Sequence, residues 1–219
     1  FMFFLSPVFG DENSAVSFDK ELPENNIVTI QPDSLRILHN PLTGWVLYAS
    51  MGVDAADFWA QYDHMYIPEL GHNVSVTDYA HTLYIRASWT DFNPQEDVYG
   101  WKIDSNLRAY IEGAYQRNMR LAFRVVVDSR DKRTEFTPQF VKDAGAKGFM
   151  NKGKWSPYSD DPVFQKYYTK FVKALAKDFN DPSKVEFIDG FGLGKWGEYH
   201  TMIYSTGDDT PKKAVFDWV

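Results

Sequence analysis

The sequence predicts an α/β fold, and within that class the N-terminal half (about strands 1–4) of a (β/α)8 TIM barrel, incomplete in this chain. Three observations carry that expectation. Apolar runs with strand character alternate with amphipathic helical stretches in the order β, α, β, α, β, α, β, and such alternation predicts a parallel sheet with right-handed crossovers. No glycine-rich phosphate loop follows the first strand, which weakens the nucleotide-binding, doubly wound alternative. A full barrel takes about 250 residues. Only four strands fit into these 219 once a polar N-terminal stretch is set aside. Four parallel strands alone leave an unpaired edge and an uncovered face. The rest of the barrel is therefore expected as a missing C-terminal half of the same polypeptide. A self-contained four-stranded α/β domain is the other arrangement that this pattern allows.

Residues 1–10, FMFFLSPVFG, form an apolar run ending in small residues. They resemble the tail of a signal peptide, with Val8-Phe9-Gly10 as the cleavage triplet and Asp11 as the first mature residue. A buried N-terminal strand is the competing reading. Export places the mature protein outside the cytoplasm, secreted or periplasmic. Residues 11–39 read as a polar tail with one short apolar strand at Ile27–Ile30. Residues 40–219 read as the barrel half. Asn40-Pro41-Leu42-Thr43-Gly44 is turn chemistry, and Trp45–Ala49 is the first strand.

Asp54–Tyr62 has helical spacing, with Phe58, Trp59 and Tyr62 on one face. His81–Ala87 is the second strand. Ile103, Leu107, Tyr110, Ile111 and Ala114 recur at helical steps up to Arg117. Asp104 stands near the start of that helix, where a carboxylate offsets its dipole, and Asn118 is a stop signal. Leu121–Val127 is the third strand. Asp161-Pro162 opens a long helix to about Phe179, with the aspartate as N-cap and proline in the first turn. Its buried stripe is expected to be Phe164, Tyr167, Tyr168, Phe171, Val172 and Leu175. Lys184–Phe191 is the fourth strand.

Composition excludes several functions. With 30 acidic against 23 basic residues the net charge is −7, and no basic stripe suits nucleic acid. No run is long enough to span a bilayer as a helix. The absence of cysteine removes disulfides and thiolate chemistry. His64, His72, His81 and His200 lack metal-ligand spacing, so no metal and no cofactor is expected. There is no G-x-S-x-G nucleophile elbow. The 7 Trp, 13 Tyr and 17 Phe fill a core or stack on sugar rings, and composition does not separate the two.

Two segments carry chemistry. Ser88–Lys102, SWTDFNPQEDVYGWK, follows a strand and precedes a helix. Its Trp89, Pro94, Tyr99-Gly100-Trp101 and Asp104, followed by the strand with Arg124, resemble the second βα unit of clan A glycoside hydrolases, notably the β-galactosidase-like families. Tyr-Gly-Trp inverts those families' Gly-x-Tyr order. The second segment, Asp189–His200, DGFGLGKWGEYH, passes from a strand into a glycine-rich loop. In clan A the acid/base glutamate follows the fourth strand, so the resemblance makes Glu198 the catalytic proton donor. Gly197 stands where the clan has asparagine. The W-G-E-x-H ending is similar to that of a less-studied group of secreted bacterial barrel proteins.

The resemblance implies a carbohydrate substrate. It also implies substrate-binding roles for Arg86, Trp89, Asp128, Trp196 and His200. Arg86, near the end of the second strand, matches an arginine that supports the clan's catalytic carboxylates; a structural ion pair is the other reading. Asp128 is either a ligand at the rim or a turn residue. The second carboxylate of a glycosidase follows the seventh strand in clan A, beyond Val219. A non-catalytic carbohydrate-binding barrel is the alternative function.

Overall fold

The computed structural model describes residues 44–49, 51–130, 134–189 and 192–219. The expected signal remnant, the polar tail and the strand at Ile27–Ile30 lie outside them.

The elements run in chain order as β1 (Trp45–Tyr48), α1 (Ala55–Asp63), β2 (Met65–Ile67), β3 (His72–Val74), β4 (Ala80–Ser88), α2 (Trp89–Phe92), α3 (Gly100–Ile103) and α4 (Ser105–Gln116). They continue with β5 (Arg120–Val126), α5 (Gln139–Asp143), β6 (Gly148–Asn151), β7 (Lys154–Pro157), α6 (Pro162–Phe179), β8 (Val185–Ile188) and α7 (Lys212–Trp218). The result is a mixed α/β fold around one four-stranded sheet in the order β1-β4-β5-β8, every pair parallel. Spatial order follows chain order. A doubly wound sheet would break that order at a switch point. Two antiparallel hairpins, β2-β3 and β6-β7, stand apart from the sheet.

Side-chain alternation divides the sheet into two faces. Leu83, Ile85 and Ala87 of β4 and Leu121, Phe123 and Val125 of β5 are buried on one face. There they belong to the same core as Phe58 and Trp59 of α1, Leu107 and Tyr110 of α4, and Phe164, Phe171 and Leu175 of α6. The other face bears Val46 and Tyr48 of β1, Tyr84 and Arg86 of β4, Arg124 of β5 and Phe187 of β8, as the register requires. Val46, Tyr48 and Phe187 on this second face are exposed.

The helix starts follow from short polar side chains. Asp54 accepts from Ala56 N, Asp104 from Leu107 N and Asp161 from Phe164 N, each satisfying an orphan donor in a first turn. Ser88 and Asp91 form a reciprocal capping box for α2. Two expected core positions prove exposed. Ile103 ends α3, and the break at Asp104 puts it out of phase with Leu107. Val172 lies one step round α6 from the buried Phe171.

Candidate active site

The strands deliver polar side chains to their carboxyl ends on the exposed face. Arg86 and Arg124 are direct register partners in β4 and β5. Asp189 follows β8 immediately. Arg124 reaches two carboxylates: its Nε donates to Asp189 Oδ2 at 2.7 Å and its Nη1 to Glu198 Oε1 at 2.9 Å. The Tyr84 hydroxyl donates to the same Asp189 oxygen. Burial, with Asp189 beside it, pushes the Tyr84 phenol far above its ordinary range, so it stays a donor. The Arg124 guanidinium sits 5.8 Å from the Tyr84 ring centre. Tyr84, Asp189, Arg124 and Glu198 thus form one hydrogen-bonded chain across three strands and a loop.

The loop that carries Glu198 is tightly wound. Gly192, Gly194 and Gly197 have positive φ, and so do Trp196, Tyr199 and Thr201. Gly197 at φ 71° explains the residue in front of Glu198, because the turn requires the left-handed region that favours glycine. Thr201 at φ 48° is β-branched and strained there. The turn is held by its neighbours: Lys195 N donates to His200 O at 3.1 Å, and Arg130 Nη2 to Thr201 O at 2.7 Å. Non-glycine left-handed residues cost roughly 1–3 kcal/mol each and cluster at functional sites.

Trp196 is 39% exposed at the tip of this loop. Its carbonyl accepts from Arg86 Nη2 at 3.0 Å. Lys195 Nζ lies 4.5 Å from its ring centre, and the His200 ring stands edge-on at 5.3 Å. Of the residues expected at the site, Arg86, Trp196, Glu198 and His200 are therefore brought together. Glu198 uses Oε1 for Arg124, and Oε2 has no partner among the described residues.

Two expectations are corrected. Trp89 is fully buried, 0% exposed, with ring contacts to Phe140, Phe164, Tyr168 and Phe171. It offers no face to a sugar. Asp128 is buried with both oxygens committed. Oδ1 accepts from Arg130 N at 2.8 Å and Ser156 Oγ at 3.3 Å, and Oδ2 from Arg130 Nε at 2.7 Å. It is a turn residue that anchors Arg130, not a ligand at the rim. The rest of the Ser88–Lys102 segment is structural as well. Asn93 Nδ2 donates to Gln95 O and Val98 O, and Trp101 Nε1 donates to Asp178 of α6 at 2.7 Å. The ion pair to the loop carboxylate Glu198, expected of Arg86, comes from Arg124 one strand later.

Among the described residues no group of three or more His, Asp or Glu side chains could hold a metal ion, and no helix is long and apolar enough to cross a membrane. A scan of protein-family models finds no match, and neither does a search of curated proteins. Similar solved structures include xylanase B from Clostridium stercorarium F9, at 15% identity and a TM-score of 0.36. The match covers 66% of this chain and 37% of that one, so it spans well under half the length of the xylanase. A likeness at that level says nothing about which residues act.

Proposed function

We propose that this chain carries the first half of a (β/α)8-barrel glycoside hydrolase and that Glu198 is its general acid. The observation that carries the reading is the position of Glu198. It stands exposed at the carboxyl end of a parallel sheet, where barrel active sites lie, and Arg124 holds one of its oxygens. Sequential strand order and the exposed aromatic and charged sheet face support the barrel. They are what the inner wall of a barrel looks like before further strands close it. To act as the acid, Glu198 carries its proton on Oε2, the oxygen that Arg124 leaves open, and delivers it from there to a glycosidic oxygen.

In this mechanism Glu198 protonates the leaving-group oxygen as the glycosidic bond breaks, and a second carboxylate acts from the opposite side of the sugar ring. That second carboxylate belongs to a later strand of the same polypeptide. Trp196 supplies an apolar face for a sugar ring. The reading of the N-terminal ten residues as a signal remnant puts the substrate outside the cytoplasm.

The test is a screen of the full-length polypeptide against plant and host glycans, with Glu198→Gln beside it. Glu198→Gln is expected to lower turnover by about 10²–10⁴-fold, the usual contribution of a general acid, while binding persists. Unchanged turnover overturns the assignment. The Arg124–Glu198 ion pair favours one second reading, a carbohydrate-binding barrel in which Glu198 accepts hydrogen bonds from sugar hydroxyls. That reading predicts glycan affinity without turnover in the unmodified protein.

A further inference from the structure

We infer that the subsite beside Trp196 takes a sugar ring bearing a carboxylate, a uronic acid, and that Arg86 is the residue that selects it. This rests on the glycosidase reading and names the substrate class of the same site.

Arg86 and Arg124 are direct register partners on adjacent parallel strands, which sets their Cα atoms about 5 Å apart on one face. Like charges so placed repel. Arg124 is answered by Asp189 and Glu198. Arg86 is not: among the described residues its side chain meets only the Trp196 carbonyl, a neutral acceptor, through Nη2. Its Nε and Nη1 have no partner among those residues. A guanidinium with unused donors presents the planar fork that matches a carboxylate with two parallel hydrogen bonds.

That bond ties the arginine to the backbone of Trp196, whose ring is exposed. Lys195 lies over the same ring, and His200 stands at its edge. The indole can stack on the apolar face of a pyranose, and a carboxylate on that pyranose then meets Arg86. The net charge of −7 does not override this. Exposed charges farther off than about 8 Å are largely screened at physiological salt, and the acids of this site, Asp189 and Glu198, are engaged by Arg124.

The test uses the full-length polypeptide carrying Glu198→Gln, so that glycans bind without being cut. Calorimetry measures the affinity for oligosaccharides of polygalacturonate, glucuronoxylan, alginate and hyaluronan, each beside its carboxyl-reduced neutral counterpart. At least one acidic member is expected to bind about tenfold tighter than its neutral form, the scale of one charge-assisted hydrogen-bonded pair. Adding Arg86→Gln is expected to bring that ratio toward one, and Arg86→Lys, which keeps the charge, to retain part of it.

Equal or tighter binding of the neutral forms, or a ratio untouched by Arg86→Gln, overturns the subsite and leaves the glycosidase reading standing. It is also the outcome if a carboxylate on a further strand of the polypeptide answers Arg86. Failure of every glycan, acidic and neutral, to bind overturns both.

Discussion

Replacing Trp89 by alanine is expected to cost about 3–5 kcal/mol of stability, the usual penalty for emptying a buried aromatic site. Its ring packs between α5 and α6 with nothing left exposed. Trp196→Ala is expected to cost less, about 1–2 kcal/mol, because that ring is half-exposed, and to weaken glycan binding as well. Thermal melts of the two variants, beside a glycan titration, check both. The two tryptophans could not be told apart in sequence, since each precedes polar residues after a strand. Burial decides between them, and burial is set by the α6 stripe some 75 or more residues downstream. That Arg86, Trp196, Glu198 and His200 come together was legible, because they sit at strand ends or in a glycine-rich loop. The link from Tyr84 through Asp189 to Arg124 was not, because it joins positions 105 and 65 residues apart. A faint signal exists in the alternation of HTLYIRA and LAFRVVV, where Tyr84, Arg86 and Arg124 occupy the face opposite the apolar positions.

At the scale of elements, α1 and α4 meet closely because Gly113 has no side chain. A Cβ there would fall 2.1 Å from Trp59 Nε1. The indole fills that space, donates to Ala109 O at 3.2 Å and carries the Arg117 guanidinium 4.3 Å from its ring centre. Gly113→Ala raises helix propensity by about 1 kcal/mol but forces the ring away. A net loss of about 1–3 kcal/mol is expected from overpacking, read by denaturant titration. The same helix pair is tied by Arg117, whose Nε donates to Asp63 Oδ1 at 2.7 Å. That bond holds the Asp63 carboxyl below its ordinary range. A folded-state value lowered in this way stabilises the fold fully above about pH 5, and the contribution fades as pH falls below about pH 4 and the carboxylate takes up a proton. Asp63→Asn is expected to remove about 1 kcal/mol at neutral pH. Its melting temperature should converge on that of the unmodified protein in acid, and a constant gap across pH would contradict the assignment.

The four strands and three long helices were legible for a simple reason: their apolar positions recur with periods near 2 and 3.6. The hairpins were not. β3 reads His-Asn-Val with two exposed residues, and β6 is half-buried at most, so neither carries a period. The helix α7 buries one residue, Val215, and its stripe is too thin to detect. Val172 and Ile103 show the limit of periodicity at helix flanks and ends, where the pattern marks a residue as apolar without saying what covers it.

For the molecule as a whole, β1 and β8 are the edges of the sheet, and the face bearing Tyr48, Tyr84 and Phe187 presents aromatic rings outward. On the helical side a groove of about 550 Å³ runs between α6 and β8, lined in part by Val125, Phe171, Val172 and Ile188. In the proposed barrel a further βα unit would set its strand beside the β8 edge and its helix in this groove. The same continuation would enclose Arg86, Arg124 and Glu198 at the mouth of a barrel. In the proposed mechanism Glu198 gives a proton to a departing sugar oxygen. Two substrates compared on the full-length polypeptide isolate that step: a natural glycan, whose leaving oxygen needs a proton, and a nitrophenyl glycoside, whose leaving group departs without one. Glu198→Gln is expected to lower turnover of the glycan by about 10²–10⁴-fold and to spare most of the turnover of the nitrophenyl glycoside. Equal losses on both substrates, or none on either, would contradict the account.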